Sequence, residues 1–220
     1  MISTVIFDLD GTLLYTLEDL TDSTNYVLSK FKYPVKTIDN IRCYVGDGVS
    51  KLIERAIPDG INNPKFHECL NIFTKHYSQN MYNKTRPYAD IIDMLKMLKS
   101  RHIKTAIVSN KFDSAVKELT KKYFPNLIDI AFGQRENIAP KPSPAIVNEV
   151  LGILKTTPCA CLYAGDSEID IQTAKNAGIE CISTAWGYKS IDFLRENGAV
   201  KLIRAPYELI DYIDGSQTGV

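Results

Sequence analysis

Two aspartates one residue apart, Asp8 and Asp10, are the clearest chemical signal in this sequence. They follow an apolar run at residues 5–7 and precede Gly11 and Thr12. Alternate side chains of a strand point the same way, and two like charges held close are costly unless a cation or a proton lies between them. The pair therefore predicts a metal site or an acid/base pair. The alternative is a polar Asp-Gly turn after a buried strand.

Later segments add matching polar groups where predicted strands end. The side chains are Ser109 and Asn110 after a second strand, Lys141 between two prolines, and Asp166 and Asp170 after a third strand. Because parallel strands end at one edge of a sheet, we expect these groups to gather there. Taken singly, Lys141 could be a solvated loop lysine, Ser109 a strand end or helix cap, and Asp170 a first-turn helix acid.

This set of carboxylates, lysine and hydroxyl suits phosphoryl transfer. A hard divalent cation such as Mg²⁺ would screen the carboxylates and bind phosphate oxygens. One carboxylate can attack phosphorus to form an aspartyl-phosphate, and a second can protonate the leaving alcohol and then activate water. A lysine and small donors would hold the charged phosphoryl oxygens. The sequence thus predicts a site for phosphoryl transfer assisted by Mg²⁺.

The hydrophobic periodicity divides the chain into two kinds of segment. Residues 15–85 show apolar residues at helical spacing with no strand pattern, which predicts an inserted all-α domain. From residue 86, helical and strand patterns alternate, as is typical of a parallel sheet covered on both faces. We expect a doubly wound α/β core of residues 1–14 and 86–220, and a helical domain of residues 15–85. The tail from Gly215 is expected to fray.

Four segments, in order, resemble the motifs of phosphatases of the haloacid dehalogenase superfamily. Residues 8–13 resemble the first motif, Ser109 the second, Lys141 the third and residues 165–170 the fourth. The helical insertion after the first motif resembles the C1-type cap of this superfamily. The resemblance covers nearly the whole chain and implies a Rossmann-like core, a helical cap and Mg²⁺ as cofactor.

The resemblance also implies a role for each residue. Asp8 would be the nucleophile and a metal ligand, and Asp10 the general acid/base, with its backbone carbonyl on the metal. Asp166 would ligate the metal and Asp170 would support the metal shell. The phosphate-binding residues would be Ser109, Asn110 and Lys141. Asp10 further favours a phosphatase or phosphomutase, because the dehalogenases of the superfamily lack this second carboxylate.

Residues 44–52 resemble the Gly-x-Gly segment of phosphoglycolate phosphatases, and residues 109–111 and 185–188 also resemble that group. Gly46 and Gly48 would let the backbone approach a ligand near a helix N-terminus, and Arg42 or Lys51 would neutralise a substrate carboxylate. The alternative is a helix-breaking turn with solvated charges. The resemblance thus implies an Mg²⁺-dependent phosphomonoester hydrolase that acts through an aspartyl-phosphate on a small phosphorylated metabolite, with 2-phosphoglycolate as the best expected substrate. The chain departs from the family at residues 15–16, where Tyr-Thr replaces a common Asp-Ser pair at the cap hinge, and this puts cap movement and specificity in question.

Charge and composition argue against several classes of partner. The chain has 26 basic and 26 acidic side chains, which favours neither nucleic acid nor an anionic membrane surface. It has no apolar run of membrane-spanning length and no secretory leader, so we expect a cytoplasmic protein. Five cysteines without paired spacing argue against disulfides or a zinc site. The expected partner is a small phosphate ester, and the expected state is a monomer or weak homodimer.

Two other functions remain open at this point. The same chemistry with a different acceptor would give a β-phosphoglucomutase-like phosphomutase or a pyrophosphatase. A non-catalytic binding module is the alternative of another class. Such a module is expected to have lost one or more of Asp8, Asp10, Ser109, Lys141 and Asp166, and all of these are present.

Overall fold

A parallel β-sheet forms the centre of the molecule in the computed structural model, which describes residues 1–217. The strands, numbered along the chain, are β1 (Thr4–Phe7), β2 (Leu14–Tyr15), β3 (Arg86–Pro87), β4 (Lys104–Phe112), β5 (Ile130–Gln134), β6 (Cys161–Gly165), β7 (Glu180–Thr184) and β8 (Lys201–Ile203). Six of them form the sheet in the order β5-β4-β1-β6-β7-β8, and every neighbouring pair is parallel.

Helices fill the rest of the described chain. They are α1 (Leu17–Lys30), α2 (Ile38–Tyr44), α3 (Val49–Ala56), α4 (Phe66–Asn80), α5 (Ile91–Ser100), α6 (Asp113–Tyr123), α7 (Ala145–Leu154), α8 (Glu168–Ala177), α9 (Ile191–Glu196) and α10 (Tyr207–Gln217), with short 3₁₀ turns at Gly60–Asn62 and Pro158–Ala160. The first four lie together between β2 and β3, whereas α5 to α10 alternate with the strands of the sheet. This alternation places helices over both faces of the sheet.

The central strand β1 is buried on both faces. Val5 and Phe7 pack into one hydrophobic cluster and Ile6 packs into another, because successive strand residues point to opposite faces. A strand covered on both sides reads as a continuous apolar run, which is why this segment was recognisable in the sequence. The burial fixes the end of β1, and therefore the position of the polar residues that follow it.

A two-stranded antiparallel ribbon joins the helical segment to the sheet. Leu14 pairs with Pro87, and Tyr15 pairs with Arg86. The sequence showed no strand here, because two residues are too few to produce an alternating pattern. The apolar side chains of α1 and α4 continue the hydrophobic cluster that covers one face of the sheet.

The predicted fold class, a doubly wound parallel sheet with an inserted all-α cap, is confirmed. The division into domains at residues 14/15 and 85/86 stays a prediction. Helix α10 continues to Gln217, past the point where fraying was expected, and residues 218–220 of that tail lie outside the described residues. All five cysteines are free. Within residues 1–217 no helix has both the length and the apolar character needed to cross a membrane.

Candidate active site

Polar side chains gather at the carboxyl edge of the sheet, where open α/β folds place their ligands. Asp8 follows β1, Asp166 follows β6 and Ser109 lies near the end of β4. Strand β1 is the neighbour of both β4 and β6, so the three strand ends are adjacent. One cavity is lined by five residues of the sheet edge that the sequence predicted for the site: Asp8, Asp10, Ser109, Asn110 and Asp166.

Three carboxylates share a small space at this edge. Asp8, Asp166 and Asp170 each offer an oxygen atom, and these atoms lie within 4.8 Å of one another. The Oδ1 atom of Asp8 is buried and accepts no hydrogen bond. Lys141 Nζ lies 3.0 Å from it in an ion pair. A buried carboxylate oxygen with no hydrogen bond, beside two other acids, fits a hard divalent cation such as Mg²⁺.

Burial and mutual repulsion raise the pKa of two of these carboxyl groups. Burial raises the pKa of Asp8 to about 7; Lys141 opposes the shift, and Asp170 and Asp10 add to it. Burial, followed by the charges of Asp170 and Asp8, holds the pKa of Asp166 well above its usual range. The cluster therefore needs more positive charge than Lys141 supplies if all its carboxyl groups are to ionise. A divalent cation would supply that charge.

Two glycines leave the room that Asp166 occupies. A Cβ atom built at Gly11 would lie 2.3 Å from Asp166 Oδ2, and one built at Gly187 would lie 2.2 Å from Asp166 Cβ. The carboxylate accepts hydrogen bonds from Thr12 Oγ1 at 3.1 Å and from the backbone N–H of Tyr188 at 2.7 Å. The loop after β7 thus helps to orient Asp166, which follows β6. No pattern in the sequence predicted this contact.

Lys141 lies beneath Asp8 in a buried polar network. Its Nζ atom donates to Asp170 Oδ1 at 2.7 Å and to the Tyr163 hydroxyl at 3.1 Å. Burial alone would lower the pKa of Lys141, but the charges of Asp170 and Asp8 outweigh it and raise the pKa well above its ordinary value. Lys141 is therefore a fixed positive charge beside Asp8.

Asp170 has both carboxylate oxygens engaged within the protein. Oδ1 accepts from Lys141 and Tyr163, and Oδ2 accepts from the backbone N–H and the hydroxyl of Ser167 at 3.1 and 2.6 Å. The Ser167 hydroxyl in turn caps the first turn of α8. Asp170 thus orients Lys141 and fixes the start of α8. The metal-supporting role that the resemblance implied for it stays a prediction.

Asp10 is held by two partners that the sequence analysis did not assign. Lys111 Nζ lies 2.9 Å from each carboxylate oxygen of Asp10, and Thr16 Oγ1 donates to Oδ1 at 2.6 Å. The buried ammonium group of Lys111 also lies 4.6 Å from the ring centroid of Tyr77 on α4. The Asp10 carboxylate is thereby kept apart from the three-carboxylate cluster while still lining the cavity. Thr16 also exchanges a hydrogen bond with the Tyr188 hydroxyl at 3.0 Å.

The helical segment covers the cavity from the side opposite the sheet. Gly46, Gly48 and Val49 line it together with the core residues, and its volume is about 50 Å³. Gly46 and Gly48 have φ angles of +129° and +86°, which side chains other than glycine rarely adopt. The two glycines predicted from the sequence are therefore part of the site wall.

Arg42 and Lys51, predicted to bind a substrate carboxylate, are not brought into the cavity lining. Each forms an ion pair with an acidic residue three positions away on the same helix, at 3.0 and 2.7 Å. Their side chains are 43% and 51% exposed, because α2 and α3 turn their apolar faces inward and leave these positions on the outer side. Among the residues that the structure describes, the cations lining the cavity are Lys111 and Lys189.

Comparison with known proteins places the chain in one family. The model of the haloacid dehalogenase-like hydrolase family matches residues 5–184. A phosphoglycolate phosphatase of Aquifex aeolicus (strain VF5) is 34% identical over 194 residues, which cover 86% of this chain and 87% of that protein. Phosphoglycolate phosphatase 1 of Pseudomonas aeruginosa is 31% identical over 194 residues, covering 84% of this chain and 70% of its own length.

Solved structures agree with the sequence comparison. A candidate phosphoglycolate phosphatase from Lactobacillus delbrueckii subsp. bulgaricus superposes with a TM-score of 0.92 at 32% identity, covering 96% of this chain and 98% of that one. A second protein, from Haemophilus somnus, superposes with a TM-score of 0.90 at 24% identity and supports the fold alone. The family match spans most of the chain and the fold agrees throughout, so the chain belongs to the haloacid dehalogenase-like hydrolases.

Proposed function

We propose that this protein is an Mg²⁺-dependent phosphomonoesterase that hydrolyses 2-phosphoglycolate through an aspartyl-phosphate formed on Asp8. The observation that carries the proposal is the site around Asp8, whose buried Oδ1 atom has no hydrogen bond although Lys141 and two further carboxylates surround it. Such an arrangement suits an acid that shares a cation and accepts a phosphoryl group. Membership of the hydrolase family supports the reaction class.

The first half-reaction transfers the phosphoryl group to the protein. A carboxylate oxygen of Asp8 attacks phosphorus, and the bond between phosphorus and the ester oxygen breaks. Asp10 gives its proton to the departing oxygen, so the alcohol leaves neutral. Ser109 and Lys141 donate hydrogen bonds to the phosphoryl oxygens. Asp8, Asp166 and the Asp10 backbone carbonyl would hold Mg²⁺, whose positive charge would screen the carboxylates from the phosphoryl group.

The second half-reaction regenerates Asp8. Asp10, now ionised, takes a proton from a water molecule as that water attacks phosphorus. The bond between phosphorus and the Asp8 oxygen breaks, and inorganic phosphate leaves with Asp8 and Asp10 in their starting states. Lys111 and Thr16 hold the Asp10 carboxylate during both steps, and the helical segment limits the entry of further water.

The size and charge of the cavity support a small acidic substrate. The cavity is small, about 50 Å³, in keeping with a small substrate. Lys111 is the buried cation that would face the substrate carboxylate, in place of Arg42 and Lys51. The relatives named phosphoglycolate phosphatases support the same substrate.

Phosphate release from a substrate panel tests the proposal. The panel contains 2-phosphoglycolate, ethyl phosphate, pyrophosphate, a hexose 1-phosphate and para-nitrophenyl phosphate, each with Mg²⁺. We expect a preference for 2-phosphoglycolate over ethyl phosphate of about tenfold or more, the size of a lost charged contact. Asp8→Asn should fold normally and release no phosphate, whereas activity near that of the unmodified protein would refute the nucleophile assignment. Isomer formation from the hexose 1-phosphate without free phosphate would establish a mutase instead.

We also propose that the protein works in the cytoplasm as a monomer or weak homodimer. Its five free cysteines suit a reducing compartment. Sedimentation velocity at two protein concentrations tests the oligomeric state. A dimer that persists at the lower concentration would contradict it.

A further inference from the structure

The side-chain amide of Asn110 is fully engaged with backbone groups. Its Nδ2 atom donates to the carbonyl oxygen of Gly46 at 3.0 Å and to that of Lys141 at 3.1 Å, and its Oδ1 atom accepts from the backbone N–H of Lys141 at 2.8 Å. The side chain is buried. Both amide hydrogens are therefore used, and none is free for the phosphate that the sequence analysis assigned to this residue.

The two hydrogen bonds between Asn110 and Lys141 fix a segment that has few backbone donors of its own. Lys141 lies between Pro140 and Pro142, and proline has no backbone N–H. The N–H of Lys141 is thus the only backbone donor of the three residues, and Asn110 accepts it. Holding both the N–H and the carbonyl of one residue sets the direction in which its side chain leaves the backbone. That direction carries Lys141 Nζ to Asp8.

The third bond of Asn110 crosses to the helical segment. Gly46 belongs to the turn at residues 45–48, which lines the cavity. The same turn packs on the core two residues later, where a Cβ atom built at Gly48 would lie 3.1 Å from the backbone oxygen of Asn110 and 3.0 Å from Gln134 Oε1. The turn therefore docks on both the side chain and the backbone of Asn110.

We propose that Asn110 is a positioning residue that couples docking of the turn at residues 45–48 to the placement of Lys141. When the turn is docked, the planar amide is held in one orientation by Gly46 on one side and Lys141 on the other. When the turn moves away, the amide loses one of its three bonds and gains rotational freedom, and the backbone of Lys141 loses a rigid partner. Lys141 is thus held most firmly when the cavity is covered. The catalytic consequence rests on the proposed function, but the coupling does not.

Hydrogen exchange measures the coupling without any substrate. Gly48→Ala pushes the turn from its seat by contacts with Asn110 and Gln134 and does not alter Lys141. We expect it to speed exchange at the Lys141 amide by about tenfold, the effect of weakening one hydrogen bond. Asn110→Ala should speed exchange at both the turn and the Lys141 amide. If Gly48→Ala loosens the turn but leaves exchange at Lys141 unchanged, or changes neither, the coupling is refuted.

Asn25 offers a matched control. Its Nδ2 atom donates to the carbonyl of Lys36 at 2.9 Å and its Oδ1 atom accepts from the Lys36 N–H at 2.8 Å. This is the same bridge to a single residue, but it lies wholly within the helical segment. Asn25→Ala should leave exchange at residues 45–48 and at Lys141 unchanged. Circular dichroism of each variant shows that the protein is folded.

Steady-state kinetics with para-nitrophenyl phosphate give a second readout. Asn110→Ala should lower kcat by about tenfold with little change in KM, because the lost contact positions Lys141 and does not touch substrate. The variant carrying both Gly48→Ala and Asn110→Ala should have a kcat no lower than that of the slower single variant, because both substitutions weaken the same contact between the turn and Asn110. If the two reductions in kcat multiply instead, the substitutions act on separate contacts and the coupling is refuted. If exchange is coupled but no phosphoester is hydrolysed, the proposed function fails and the coupling stands.

Discussion

Removing the carboxylate of Asp19 is expected to destabilise the protein strongly. Asp19 lies on α1 with 2% of its surface exposed. Its oxygens accept the backbone N–H of Lys84 at 3.0 and 3.1 Å and that of Thr85 at 2.8 Å. These two residues directly precede β3, so one side chain ties the beginning of the helical segment to its end.

The size of the effect follows from the groups left without a partner. Asp19→Ala leaves two backbone donors with no acceptor, and a buried unsatisfied donor costs about 1–3 kcal/mol. Thr85 is buried, so its N–H meets the larger cost, whereas Lys84 is exposed and water can replace part of its bond. The total is about 3 kcal/mol, which lowers Tm by about 6–12 °C in a protein of this size.

Chemical denaturation followed by circular dichroism measures this loss, and Asp22 supplies the control. Asp22 is also on α1 and also binds Lys84, but through an ion pair to Nζ at 2.6 Å between side chains that are 53% and 47% exposed. Asp22→Ala should cost only about 0–1 kcal/mol. Equal small losses in the two variants would refute the reasoning, because they would mean that water satisfies the Lys84 and Thr85 amides as well as Asp19 does.

Three further predictions concern the site. Gly187→Ala should abolish phosphate release, because its methyl group would lie 2.2 Å from Asp166 Cβ. Gly152→Ala, whose methyl group would have no heavy atom within 4 Å, should retain activity. An active Gly187→Ala protein would show that Asp166 can shift without loss of activity. Lys111→Met should reduce kcat/KM for 2-phosphoglycolate more than for ethyl phosphate, by about tenfold or more in the ratio, and an unchanged ratio would remove Lys111 as the carboxylate partner. Chelation of divalent cations should stop turnover and added Mg²⁺ should restore it, so turnover that persists with excess chelator would contradict a metal-dependent reaction.

The residues at the strand ends were predictable because the sheet is parallel. Once residues 5–7 and 161–165 are recognised as buried strands, the acids that follow them must meet at one edge. The pairing of β1 with both β4 and β6 then brings Asp8, Ser109 and Asp166 together with no further information.

Partners chosen by tertiary packing were not predictable. Lys111 contacts Asp10 across 101 positions of sequence; residues 109–111 resemble the phosphoglycolate phosphatases, but that resemblance gave Lys111 no partner. Arg42 and Lys51 were selected because they flank the Gly-x-Gly turn, but proximity in sequence does not decide the face of a helix. The phase of α3, whose residue Leu52 lines the cavity, was available in the sequence and would have placed Lys51 outside.

The ribbon formed by β2 and β3 has a consequence for how this architecture can change. Directly opposite residues in an antiparallel ladder lie about 4.5–5.5 Å apart. Because Leu14 pairs with Pro87, the two ends of the helical insertion lie as close together as the two ends of a hairpin turn. Two residues such as Asn-Gly can bridge a gap of that width. The ribbon therefore sets no length for what is inserted there, whereas the contacts of Tyr77 with Lys111 and of Gly46 with Asn110 do constrain its content. We expect that another helical segment can be joined to the same two strands and alter substrate preference, provided that it rebuilds these contacts to the sheet edge.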